Sequence, residues 1–153
     1  MGYVGEIRKK IGHDRLITVG ATAIVYKNRR VLLQKRRDNG LWSSHGGCVE
    51  IGEEVENAAR RELMEETGLR ANSLEFMGVF SGEDMLYTYP NGDEAYIIGI
   101  EYVCRDFSGD MLFETDETLE LKWFELHDLP KELSSVDRKL FDGFLNYIKR
   151  TDV

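Results

Sequence analysis

The sequence predicts an α+β fold, a β-sheet with helices packed on it. Three observations carry that prediction. Apolar, β-branched runs of strand length recur between turn-forming residues. A central segment from Glu53 to Thr67 has helical periodicity instead. A second helical stripe lies near the end of the sequence. With 153 residues, 42% hydrophobic and 31% charged, the chain reads as one globular domain spanning 1–153.

Each element follows in order. Residues 3–10 suit a short helix. Ile17 to Tyr26 is rich in Val, Ile, Ala and Thr and reads as a mostly buried strand. Lys27-Asn28-Arg29 is a polar turn, and Arg30 to Lys35 returns as a second strand, giving a hairpin that ends before Asp38-Asn39-Gly40. Ser43 to Gly52, with Gly46, Gly47 and Gly52, reads as a loop. In the helix from Glu53, Val55, Ala59 and Leu63 fall at i, i+4, i+8 and form a core stripe. Acidic residues crowd its first turn, which suits the helix dipole, and Gly68 is a good stop. Residues 73–81 and 83–89 read as strands, Pro90-Asn91-Gly92-Asp93 as a hairpin turn, and 94–104 as the returning strand. Residues 120–126 form another strand, and 136–149 an amphipathic helix carrying Leu140, Phe141, Phe144, Leu145 and Ile148.

Composition excludes several classes of function. With 20 basic and 28 acidic residues the net charge is −8, which argues against a general nucleic-acid binder. Cys48 and Cys104 make neither a disulfide framework nor a CxxC metal pair, so a reducing, cytoplasmic setting is expected. The first ten residues have no apolar core for a secretory signal, and Glu6 breaks the myristoylation pattern. The longest apolar stretch is too short to span a bilayer.

The central helix carries the chemistry. It holds Glu53, Glu54, Glu56, Glu62, Glu65 and Glu66, with Arg60 and Arg61 as its basic residues. At ~100° per residue, Glu62, Glu65 and Glu66 share one face. Like charges at that spacing destabilise a helix by roughly 0.2–0.5 kcal/mol per pair. A cation on that face would relieve the repulsion. Carboxylates without Cys or His suit Mg²⁺, Mn²⁺ or Ca²⁺ better than Zn²⁺. A purely solvated acidic face is the alternative reading of the cluster alone.

The spacing adds to this. Gly47 is followed after five residues by Glu53, and after seven more by Arg61-Glu62-Leu63-Met64-Glu65-Glu66-Thr67-Gly68-Leu69. This resembles the Nudix box, G-x5-E-x7-R-E-U-x-E-E-x-G-U, at every specified position. The resemblance implies an α/β/α sandwich with a central mixed sheet. It also implies hydrolysis of a nucleoside diphosphate linked to another moiety. Carried over by position, Glu62, Glu65 and Glu66 would bind Mg²⁺ or Mn²⁺, helped by a backbone carbonyl of Gly46 or Gly47. Glu53 would be a further acidic group near the metal, and Arg61 would hold the carboxylates in place. Glu62 is one candidate general base. Glu117, in the acidic loop 114–117, is the other. The family is often dimeric, so the resemblance points to a homodimer. One position departs from the family: His45 stands where Pro is usual. It reads either as a hydrogen-bonded loop histidine or as a titratable group near phosphate.

Substrate contacts are sought among neighbours of the box. Arg36 and Arg37 could meet phosphate, or simply end a solvated strand. Trp42 could stack on a base or pack in the core, and Tyr87, Tyr89 and Tyr96 could add aromatic surface. Three functions compete. The first is a hydrolase of nucleoside triphosphates, ADP-ribose, nucleotide sugars or dinucleoside polyphosphates. The second is a non-catalytic Nudix module that senses nucleotides. The third is an acidic helix that docks a basic partner. The complete set of box carboxylates favours the first.

Overall fold

The computed structural model describes residues 2–152. Helix α1 (Tyr3–Ile11) leads into the long strand β1 (Leu16–Lys27), then β2 (Arg30–Arg36), β3 (Trp42–Ser43) and β4 (His45–Cys48). Helix α2 (Val55–Thr67) follows, then β5 (Arg70–Ala71) and β6 (Glu75–Phe80). A 3-10 turn at Glu83–Met85 precedes β7 (Leu86–Thr88) and β8 (Glu94–Cys104). The described chain finishes with β9 (Phe107–Ser108), β10 (Thr118–Glu125) and α3 (Ser135–Thr151). Among the described residues no helix is long and apolar enough to cross a membrane.

The main sheet runs β10-β2-β1-β8-β6, with β3 on β2, β4 on β1 and β7 on β8. β1 and β8 are parallel from Leu16↔Ala95 to Val25↔Cys104, and the other pairings are antiparallel, so the sheet is mixed. Along its other edge β1 changes partner. Gly20 to Ala23 pair with β4, whereas Tyr26 and Lys27 pair with β2. The sheet therefore divides beside β1, and the chain from Trp42 to Cys48 crosses the gap. His45 ties that crossing down: it is fully buried, and its Nε2 lies 2.8 Å from the Leu32 carbonyl oxygen.

Strand alternation sorts the core into two layers. Ala21, Ala23, Val25, Leu32 and Cys104 pack with Ala58, Ala59 and Leu63 of α2. Ile24, Tyr26, Val31, Leu33 and Val103 pack with Leu140, Phe141, Phe144 and Ile148 of α3. Helices thus cover both faces, as the α/β/α expectation required. Val55 of the expected stripe packs at the edge of the first layer, and Leu145 at the edge of the second.

Several expectations need correction. Residues 43–52, read as a loop, contain β4, in which Gly46 and Gly47 pair with Thr22 and Ala21. Glycine lowers strand propensity, but here it permits close approach: a Cβ on Gly46 would lie 2.5 Å from the Ala21 carbonyl oxygen. The segment 83–89 begins as a 3-10 turn, so its strand covers only Leu86–Thr88. The short pair β5–β9 was not legible, because two-residue strands leave no periodic signal.

Candidate active site

Helix α2 begins after Glu54, whose side chain makes no capping bond. Glu53, one residue earlier, organises this end. Its Oε1 accepts from the Glu50 backbone N–H at 3.1 Å. Its two oxygens also accept from Arg61 Nε at 2.8 Å and Nη2 at 3.0 Å, a bidentate pair across two turns. The same guanidinium donates to Glu62 at 2.9 Å, to Glu65 at 3.3 Å and to the Cys48 carbonyl at 3.1 Å. Arg61 is therefore the hub that ties helix to β4. Its hydrogen bonds with Glu53 raise its own pKa further, and they hold the Glu53 carboxyl below the usual carboxylate range.

The three remaining box glutamates do share an arc of the helix, but they run from solvent to interior. Glu65 is mostly exposed, Glu62 is largely covered, and Glu66 is 5% exposed. Burial pushes the Glu62 carboxyl up against the opposing pull of Arg61. Glu66 is pushed up more strongly, first by burial and then by the Glu62 charge. Its Oε2 has no hydrogen-bond partner. Gly47 faces Glu62: a Cβ there would sit 2.5 Å from its carboxyl, so the strand backbone reaches the glutamate only because the residue is glycine.

This arrangement fits a hard divalent ion. Two desolvated carboxylates interact repulsively, and one keeps an oxygen that no donor reaches. Among the described residues no three Asp, Glu, His or Cys side chains form a ready-made cage. A Mg²⁺ site does not require one, since that ion keeps waters and substrate oxygens and takes one or two protein carboxylates.

A cleft opens on the α3 side of the sheet, with roughly 830 Å³ of space partly open to solvent. Gly46 and Gly47 form its rim toward α2, and Arg36, Trp42, Tyr87 and Tyr89 line its walls. Arg36 is not a free cation. It is clamped by Asp38 through two bonds of 2.9 and 2.7 Å. Trp42 packs edge-on against Phe124, with 4.9 Å between centroids, and still lines the cleft. Tyr87 meets Tyr89 edge to face at 4.8 Å, and its hydroxyl accepts from Asn39 at 3.0 Å. Burial pushes the Tyr89 hydroxyl up to about 12.

Three candidates lie elsewhere. Arg37 turns away from the cleft walls. It donates to Glu114 at 3.0 Å and to the Thr115 carbonyl, while its backbone N–H donates to the Glu117 carbonyl at 3.0 Å. It thereby anchors the loop that carries Glu117, whose charge raises the pKa of both Glu62 and Glu66. Tyr96 accepts from the Gly82 backbone N–H and stands outside the cleft lining. His45 is lowered to about 4 by burial and is neutral at pH 7, so it ties strands together and does not titrate beside phosphate.

A family model described as NUDIX domain matches residues 16–144. The chain belongs to the Nudix family. Among its relatives is an ADP-ribose pyrophosphatase of Methanocaldococcus jannaschii, 37% identical over 74% of this chain and 64% of that protein. Another is the NAD-capped RNA hydrolase NudC of Pseudomonas syringae pv. tomato, 29% identical over 92% of this chain and 50% of that protein. The chain thus spans about half to two thirds of these relatives. A crystal structure of a MutT NUDIX hydrolase from Burkholderia pseudomallei superposes with a TM-score of 0.71 at 31% identity, covering 84% of this chain and 98% of that one.

Sequence reasoning missed two acidic members of this Nudix cleft. Asp137, in the first turn of α3, accepts from the Ser44 backbone N–H at 3.2 Å and the Ser44 hydroxyl at 2.9 Å, pinning the link between β3 and β4. Glu101 lies in the middle of β8, on the cleft floor. A signal for Glu101 did exist: it is a lone charge on the strand face shared with Ala95, Ile97, Gly99 and Val103.

Proposed function

We propose that the chain is a divalent-metal-dependent hydrolase that cleaves a pyrophosphate bond in a nucleoside diphosphate linked to another moiety. One observation carries this reading: Glu62 meets the glycine rim of the cleft, with the buried Glu66 and its unpartnered oxygen one helical turn further on. Glu62, Glu65 and Glu66 would hold Mg²⁺ or Mn²⁺, with backbone of Gly46 or Gly47 at its side. When bound, the ion would screen the diphosphate charge and lower the pKa of an attacking water. The other work falls to the chain. Arg61 keeps Glu53, Glu62 and Glu65 in register. Glu62 or Glu117 would take the proton from the attacking water, Glu117 being carried by the loop that Arg37 anchors. Trp42 and Tyr87 would flank the base, beside the Asp38-paired Arg36 on the cleft wall.

The names of the two relatives point to ADP-ribose and to NAD-linked ends as substrates to test first. The experiment is a panel of ADP-ribose, NAD, nucleoside triphosphates, nucleotide sugars and dinucleoside polyphosphates, assayed with Mg²⁺, Mn²⁺ or EDTA. Turnover of at least one compound, abolished by EDTA and restored by Mg²⁺, is the expected result. Turnover that EDTA leaves intact would overturn the metal assignment. Specific binding without turnover would make the chain a sensor.

A further inference from the structure

Glu101 stands out among the ionisable groups outside the α2 cluster. It is 3% exposed, and its Oε2 has no hydrogen-bond partner, although buried polar groups are satisfied in the great majority of cases. It lines the cleft floor. Gly99, two residues earlier on the same face, leaves room for it, since a Cβ there would collide with Glu101 Oε1. Its surroundings are sparing of charge. Asp137 faces it from α3, and the Thr22 hydroxyl lies beside it on β1. Burial pushes its carboxyl up to about 8, so at neutral pH it is a carboxylic acid with one donor and one acceptor.

The strand register fixes where this acid lies. Gly46, Thr22 and Glu101 occupy one row across β4, β1 and β8. At about 4.8 Å per strand spacing, Glu101 is about 10 Å from the glycine rim. On the far side of that rim stands Glu62, beside Gly47. Trp42, Tyr87, Met85, Ile97 and Leu140 give the space between them flat apolar walls. A ligand with a planar ring at one end and a diphosphate at the other matches this layout.

We propose that Glu101 is a specificity-determining residue, its free carboxyl oxygen hydrogen-bonding the polar edge of a nucleobase held between the cleft walls. This rests on the nucleotide-hydrolase reading above. Every base presents adjacent donor and acceptor atoms, and a neutral acid can bond to both. An unpartnered buried group penalises ligands that fail to satisfy it, which makes it a discriminating contact.

The test is calorimetric titration of AMP, GMP, CMP and UMP, with ribose 5-phosphate as the base-free probe, in EDTA. The wild-type chain is expected to bind at least one nucleotide tenfold or more tightly than ribose 5-phosphate. In Glu101→Leu that ratio should fall about tenfold or more, the scale of one unsatisfied buried hydrogen bond. Glu101→Gln, which keeps a donor and an acceptor, should retain most of it. If Glu101→Leu does not fold, Glu101→Asp shortens the reach by one methylene and should lower the ratio as well. A ratio unchanged in the folded variant, or a wild-type chain that binds ribose 5-phosphate as well as any nucleotide, overturns the proposal. Metal-dependent pyrophosphate cleavage in the Proposed function panel would stand in either case, so the two failures are distinguishable.

Discussion

Two groups of carboxyls lie on either side of the glycine rim, and they meet opposite fates. On and just before α2, Glu53, Glu62 and Glu65 are gathered by one guanidinium; the Glu53 carboxyl sits below the usual range because Arg61 bonds to it, while burial still outweighs Arg61 at Glu62. In the cleft, among the described residues, no basic side chain bonds either Glu101 or Asp137. Asp137 accepts from Ser44 and Ser134, and Glu101 keeps an oxygen with no partner among the described residues, so burial raises both. Glu66, although on α2, follows the cleft acids: it is turned inward, makes no bond to Arg61, and burial pushes its carboxyl well up. Identical functional groups thus shift in opposite directions according to the balance between burial and a bonded cation.

The contrast breaks most severely if the α2 group loses its charge. Glu65→Gln with Glu66→Gln should lower metal-dependent turnover by a hundredfold or more. Steady-state rates across a Mg²⁺ titration check this, and unimpaired turnover would remove those residues from the ligand set.

Replacing the hub tests geometry separately from charge. Arg61→Lys keeps a positive charge but cannot fork onto Glu53 while reaching Glu62, Glu65 and the Cys48 carbonyl. Turnover should drop about 10- to 100-fold, with a raised Mg²⁺ requirement. A variant with wild-type Mg²⁺ dependence would mean that charge alone suffices.

The cleft side is sharpened by pH. Glu101 titrates at about 8 in the folded chain against an ordinary 4.5, so between those values the folded state holds a proton that the unfolded chain has lost. Its stabilising contribution is complete below about 4.5 and is lost as pH rises through 8. The full swing is on the order of a few kcal/mol. His45 runs the other way: lowered to about 4 from 6.5, it favours the fold above 6.5 and withdraws that support as pH falls through 4. Thermal melts from pH 4 to 9 should show both declines, and Glu101→Gln should flatten the alkaline one selectively. An alkaline limb that persists in Glu101→Gln would place the titrating group elsewhere.

The α2 group was legible in advance because its geometry is local. Residues 61 to 66 span less than two turns, so helical spacing put Glu62, Glu65 and Glu66 on one face, while the family resemblance supplied Arg61 and Glu53, eight residues apart. The alternating strands and the two amphipathic helices were legible for the same reason. The segment from Trp42 to Cys48 was not, because its glycines gave a loop signal while pairing with β1, some 25 residues distant, made it a strand. Arg37 was read as either a phosphate contact or a solvated strand end; it bonds a loop about 78 residues further on, a contact no local pattern encodes.

By itself the sequence determined the mixed-class fold, the acidic helix face and its arginine, since hydrophobic period and residue spacing act within a few turns of chain. Only the tertiary structure decided which carboxyls are pushed up and which are held down. That outcome depends on desolvation, and desolvation is set by strands and helices brought together from distant parts of the chain: β1 at residue 22, β8 at 101 and α3 at 137 around one cleft.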